Sequence, residues 1–251
     1  MYSVTQRIKA IKQPRGGYIK PKEFVPVALN DGIELYPNEN VSAILVGSAV
    51  DYLTRYMMGT PIDEAFKISL LGAARIRETN YAQKLISKIK GLDDMSIINA
   101  CKMTGYDVCF RAQIALYKPV KDICPDAETI SNIRAMVNRS LCFWKEYGPI
   151  LVDGFTFEGG YTNIVSSGDG DFLTADTLWD FKVSKEPPKN QHTLQLLMYY
   201  IMGCHSIHKE FQSIKKLGIF NPRLNMVYLL DIANISDQII QEVSSEVIGY
   251  K

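Results

Sequence analysis

At Pro149 the hydrophobic rhythm of the chain changes, and this limits the fold to one that joins a helical part to a sheet. Before Pro149, apolar residues recur at helical spacing. Residues 42–58 carry Ile44, Leu45, Ala49, Leu53, Tyr56 and Met57 on that period, and Gly59 with Pro61 supplies a stop. The helical pattern continues from 62 to 118, broken at Gly91 and Gly105. Residues 126–147 form the clearest predicted helix, with Ile130, Ile133, Val137, Leu141 and Trp144 in one stripe and Gly148 at its end. After Pro149, residues 150–184 are rich in Val, Ile, Phe, Thr and Trp, with Gly clusters at 159–160 and 168–170, which reads as three or four short antiparallel strands. A helix over 190–203, strands at 217–220 and 225–230, and an amphipathic helix from Ser236 with Ile239, Ile240, Val243 and Val247 complete the chain. The order predicts an α/β fold with a mixed central β-sheet flanked by helices over 149–234, a helical subdomain over 60–147, and no doubly wound repeat.

The 251 residues suffice for one large domain or two small ones, and the reading is a single domain over 1–251. Hydrophobic residues at 47% and charged residues at 22% exclude wholesale disorder. No apolar run approaches the roughly 20 residues of a spanning helix, and Arg7, Lys9 and Lys12 interrupt any signal-peptide core, so no membrane partner is expected. Five scattered cysteines without a CxxC pair suit reduced thiols in a cytoplasmic protein. Net charge is +1, yet residues 1–22 hold Arg7, Lys9, Lys12, Arg15, Lys20 and Lys22 and no acidic residue. This basic N-terminal arm, punctuated by Pro14, Gly16 and Gly17, reads either as a solvated tail or as a phosphate-contacting segment, with the compact fold beginning after it.

The chemistry concentrates between 168 and 199. If Ala175-Asp176 is a two-residue hairpin loop, Thr174 faces Thr177, Leu173 faces Leu178, and Asp171 falls opposite Asp180. A three-residue loop would move the pairing by one. In the first register, Asp171, Asp180 and Lys182 project from one face, and Phe172, Trp179 and Phe181 from the other. Two carboxylates across a ladder stand roughly 5 Å apart and repel by about 3 kcal/mol at an effective dielectric near 20. A divalent cation removes the repulsion, and oxygen-only ligands select Mg²⁺ or Mn²⁺. Lys182 is then placed to orient a water and to stabilise a charged transition state. An acidic residue two before a lysine also arises by chance as a surface ion pair on a strand. Gln195 and Tyr199, four apart on one helix face, lie outside the apolar stripe of Leu194, Leu197, Met198 and Ile201 and suit contact with a nucleic-acid strand.

Gly168-x-x-Asp171, Asp180-x-Lys182 and Gln195-x-x-x-Tyr199 resemble the PD-(D/E)XK nuclease superfamily in its RecB-like branch, which also includes CRISPR adaptation nucleases and relatives of phage lambda exonuclease. Gly47-Ser-Ala-Val-Asp51 is similar to that family's upstream helix motif, with Asp in place of the commoner His or Glu. The resemblance implies a restriction-endonuclease-like core and a metal held by Asp51, Asp171, Asp180 and the backbone carbonyl of Phe181. It also implies that Lys182 assists the attacking water and that Gln195 and Tyr199 lie against the substrate strand. It covers residues 42–58 and 165–203. Gly170 replaces the motif's Pro, the Asp171–Asp180 gap is short, and Asp169 is a rival ligand. The iron–sulfur cluster of some relatives is excluded, because only Cys204 lies downstream.

Other constellations are poorer. Cys204-His205-x-x-His208 lacks a fourth zinc ligand, Gly168-x-Gly170 is no nucleotide fingerprint, and no histidine has a triad partner. The expected function is a Mg²⁺- or Mn²⁺-dependent nuclease, exonuclease or endonuclease, acting on DNA more than RNA. The alternative is a catalytically silent nucleic-acid-binding or partner-binding protein on a nuclease-like scaffold. The helical subdomain offers a surface for a protein partner or a second copy of the chain.

Overall fold

The computed structural model describes all 251 residues. In chain order its elements are β1 (Tyr2–Ser3), α1 (Val4–Ala10), β2 (Val25–Ala28), α2 (Ala43–Met57), α3 (Ile62–Ala65), α4 (Lys67–Arg75), α5 (Thr79–Ile86), α6 (Asp94–Thr104), α7 (Asp107–Arg111) and α8 (Ala127–Tyr147). Then come β3 (Val152–Thr156), β4 (Val165–Ser167), β5 (Asp169–Leu173), β6 (Thr177–Phe181), α9 (Asn190–Cys204), β7 (Lys216–Asn221), β8 (Met226–Asp231) and α10 (Asp237–Glu242), which a π-helical turn over Val243–Ile248 continues. The chain divides into two compact units, one of Met1–Leu29 with Trp144–Lys251 and one of Asn30–Phe143. No helix is long and apolar enough to cross a membrane.

The first unit is α/β. Its six-stranded mixed sheet runs in the order β2-β8-β7-β6-β5-β3. Within this sheet only β6 and β7 pair in parallel, and α9 is the crossover that a parallel pair requires. Along β5 and β6, side chains alternate between two different environments. Leu173, Leu178, Leu217 and Ile219 join Leu194, Leu197, Met198 and Ile201 of α9 in one core. Phe172 and Trp179 pack on the other side against Trp144 and Tyr147, with ring centroids 4.7 Å (Trp144–Phe172) and 5.4 Å (Tyr147–Trp179) apart. Gly218 pairs with Trp179, and a Cβ there would come within 2.4 Å of the indole.

The basic segment is part of this unit, not a tail before it. Tyr2–Ser3 pairs in parallel with β4, and Val4, Ile8 and Ile19 are buried in the core. Ser3 and Gln6 form a reciprocal capping box at the start of α1. Arg7 donates to the carbonyls of Val247 and Glu246 at 2.8 and 2.7 Å, satisfying oxygens that the end of the last helix leaves without partners. β2 carries Pro26 and sits at the sheet edge, where a missing N–H costs no ladder bond.

The second unit is helical, and it begins at Asn30 where the hydropathy pattern predicts a boundary near 60. Side chains that hydropathy does not weigh explain the difference. Asn132 Nδ2 donates to Tyr36 O at 2.9 Å, Thr129 Oγ1 accepts from Asn40 N at 3.1 Å, and the buried Arg139 guanidinium bonds Asp31 and Ile33 O. These contacts bind residues 30–40 to α8. Helix α2 buries Val46, Ala49, Val50 and Leu53 and also belongs here.

Candidate active site

The β5–β6 hairpin has the register of the two-residue loop. Phe172 pairs with Trp179, Leu173 with Leu178, and Thr174 N donates to Thr177 O at 3.0 Å. Neither Ala175 nor Asp176 has positive φ, so the turn lacks the usual hairpin geometry. Neighbours hold it instead. Asp176 O accepts from the N–H groups of Lys215 and Lys216 at 2.7 and 3.0 Å, and Trp179 Nε1 donates to Thr174 Oγ1 at 3.1 Å.

The ladder ends at Phe172–Trp179: Asp171 and Asp180 would be the next pair in this register, and there the backbone pairing gives way. A continued ladder would join Phe181 N–H to the Gly170 carbonyl. Instead Phe181 N donates to Asp171 Oδ2 at 2.9 Å. That bond directs the Asp171 carboxylate toward the end of β6, beside Asp180. Because N–H and C=O of a strand residue point to the same side, the Phe181 carbonyl also faces β5. Gly170 is required by its partner: it pairs with Phe155, and a Cβ would come within 2.2 Å of the Phe155 ring. A proline there would in addition lack the N–H of an interior strand.

Asp180 is 1% exposed. Its Oδ1 accepts from Lys182 Nζ at 2.8 Å, whereas its Oδ2 is buried without any hydrogen-bond partner. A buried carboxylate oxygen without a donor is unfavourable, and a cation is the kind of group that would satisfy it. Asp169 is exposed at the start of β5.

Helix α9 supplies the polar side chains over this region. Gln195 Nε2 donates to Tyr199 OH at 2.8 Å. Tyr199 is buried, with its ring tilted against Phe157 at a centroid distance of 4.9 Å. It belongs to the core and offers no open face for a base, unlike the exposed stacking residue expected from helix spacing. Burial pushes its hydroxyl well above the usual range, the Gln195 bond opposes this, and the charges of Asp180, Asp171 and Asp169 raise it further. Tyr199 is therefore held as a neutral phenol.

His192, on the first turn of α9, is a half-buried titratable residue that the sequence reading did not single out. It lies one helical turn before Gln195, a spacing that could have drawn attention to it. Its Nδ1 accepts from Lys189 N at 3.2 Å. Burial lowers its pKa, the Lys182 charge lowers it further, Asp180 opposes, and Lys189 adds to the lowering.

Asp51 lies on α2 in the helical unit, where Arg55 Nε donates to its Oδ1 at 2.9 Å. No group of three or more His, Cys, Asp and Glu side chains converges in the structure as a ready-made metal cluster. The α/β unit thus joins Asp171 to Phe181 and Asp180 to Lys182 on the hairpin and Gln195 to Tyr199 on α9, which packs against β6, while Asp51 belongs to the other unit. Comparison with models of known protein families, with curated proteins and with solved structures found no match.

Proposed function

We propose that this chain is a divalent-metal-dependent nuclease with a restriction-endonuclease-like core, hydrolysing phosphodiester bonds, most naturally in DNA. The observation that carries the reading is Asp180, a buried carboxylate with one oxygen on Lys182 and the other without a donor. Asp171 accepts from the N–H of Phe181, the residue that follows Asp180. Asp171, Asp180 and the Phe181 carbonyl would hold Mg²⁺ or Mn²⁺, hard ions that accept oxygen ligands and keep several waters. Bound there, such an ion supplies a water acidic enough to attack at neutral pH and neutralises charge on the phosphate.

The protein's own groups do the rest. Lys182 Nζ is fixed by Asp180 and presents a positive charge where the attacked phosphate becomes more negative. Gln195 is held by Tyr199 and can hydrogen-bond the strand. Tyr199 acts through its hydroxyl, since its ring is committed to the core. Water adds to phosphorus, the ester P–O bond breaks, and the departing oxygen takes up a proton. A catalytically silent nucleic-acid-binding scaffold is the second reading. The Arg55–Asp51 pair favours it, by neutralising the carboxylate that the resemblance assigns to the metal.

The test is cleavage of linear duplex, single-stranded and circular DNA with Mg²⁺ and with Mn²⁺. Wild type should cut at least one substrate, and Lys182→Ala should lower the rate by orders of magnitude. Wild-type protein that cuts none of them, or a Lys182→Ala variant as active as wild type, would replace the nuclease with the silent scaffold.

A further inference from the structure

Six cations without an acidic residue occupy positions 1–22, and the fold gives them a definite place. Pro14 to Gly17 form a β-turn closed by Gly17 N donating to Pro14 O at 2.9 Å. Its third residue, Gly16, has φ +92°, which glycine adopts without strain and which puts exposed Arg15 at the turn's corner. Gly17 also has φ +92°, and a Cβ there would lie 3.0 Å from the Asn190 side chain. Two residues on, Ile19 O accepts from Thr193 Oγ1 at 2.7 Å. The segment is therefore fastened across the first turn of α9. Exposed Lys20 lies along Gly16, on this same turn.

Helix α9 also packs against β6, the strand that carries Asp180, so its first turn borders the element of the candidate active site. The loop leading into α9 adds exposed Lys185 and Lys189, against a single acidic residue, Glu186. Cations from two distant stretches of chain thus meet at one helix end, and Lys185 follows Lys182 of the candidate site by three residues.

We infer that Arg15 and Lys20, with Lys185 and Lys189, form a cationic track for the phosphate backbone of a nucleic-acid strand leading to the Asp171–Asp180 site. The inference rests on the nuclease reading for the identity of the strand. Like charges clustered on a surface repel one another, and a polyanion relieves that repulsion while releasing its own counterions. The Asp171 and Asp180 charges alone would repel a phosphate, so a flanking cationic surface gives the strand a means of approach.

The experiment is binding of fluorescent single-stranded and duplex DNA by the full chain in EDTA, over a range of salt concentrations. Without metal the result does not depend on cleavage, so the track and the nuclease reading can fail separately. Arg15→Ala/Lys20→Ala should reduce the slope of log affinity against log salt by about 1.4 on single strands or about 1.8 on duplex, the release expected for two phosphate contacts. Lys185→Ala/Lys189→Ala should reduce it similarly and carries the test if the first variant melts early. Lys84→Ala/Lys88→Ala, equal in charge but placed on exposed positions of the helical unit, should leave the slope unchanged. Equal slopes in wild type and both track variants, a matching change in the control, or no binding by wild type would overturn the inference. Polyglutamate bound with the same dependence on Arg15 and Lys20 would also overturn it, in favour of an acidic polypeptide partner.

Discussion

Lys182 Nζ lies 2.8 Å from Asp180 Oδ1, and the other oxygen of the same carboxylate is buried with no donor. The pair is unequal in exposure: 26% of the Lys182 side chain is accessible and 2% of the Asp180 side chain. One ammonium, itself partly in water, leaves half of a buried carboxylate unsatisfied. The strain falls on Asp180.

Metal binding should therefore be visible in stability. Mn²⁺ at ten times its dissociation constant should stabilise the protein by about 1.4 kcal/mol. For a chain of this size that raises Tm by about 3–6 °C. Asp180→Asn should sharply reduce the response. A wild-type melting curve indifferent to millimolar Mn²⁺ would remove the metal from this site.

Gly170 and Phe155 should be coupled. Gly170→Ala drives a methyl into the Phe155 ring, 2.2 Å from the nearest atom, and should destabilise by about 1–3 kcal/mol. Phe155→Ala should cost about 3–5 kcal/mol by leaving a cavity. The double variant should cost less than the sum, because the clash disappears with the ring. Additive losses in denaturant titrations would show that β3 and β5 relax independently.

The pH dependence should report His192. Its folded pKa lies below its ordinary value of 6.5, chiefly through burial and then through Lys182. The unfolded chain therefore binds the proton more readily. The neutral ring's contribution is fully present above about pH 6.5 and is lost as pH falls from there through the folded value. His192→Gln should flatten the fall in unfolding free energy between pH 7.5 and 5.5. Identical slopes in variant and wild type would place His192 in water.

In the helical unit, Asp107 should be a keystone of stability. Tyr52 OH and Ser69 Oγ each donate to it at 2.6 Å, and all three residues are buried. Asp107→Ala leaves two buried hydroxyls without an acceptor and should cost about 2–4 kcal/mol. Ser69→Ala removes one donor from a carboxylate that keeps the other and should cost about 1 kcal/mol. Equal effects in thermal melts would contradict the network.

Much of the site was legible because its signals are local. The hairpin register follows from alternation over about a dozen residues, which sets Leu173 opposite Leu178 and the carboxylates and aromatics on opposite faces. Helices α2, α8 and α9 likewise follow from stripes repeating every three to four residues. Two-residue β1 and four-residue β2 have no measurable period, and each exists only through a partner far along the chain: β4 for the first, β8 for the second. The capping box at Ser3 was readable in sequence, but the anchoring of Arg7 on Val247 and Glu246 was not.

The same division runs through the polar residues. Periodicity alone determined that Gln195 and Tyr199 share a helix face and that Asp171, Asp180 and Lys182 share a strand face. It did not determine which face water would reach. Phe157 packed on the Tyr199 ring, so a residue expected against a substrate strand became a buried one, and Asp180 is buried as well. Tertiary packing also assigned Asp51 to the helical unit and seated the basic turn on the first turn of α9. Alternation and helical spacing are properties of neighbouring residues, whereas burial, and with it the unsatisfied oxygen of Asp180, depends on which distant segments exclude water together.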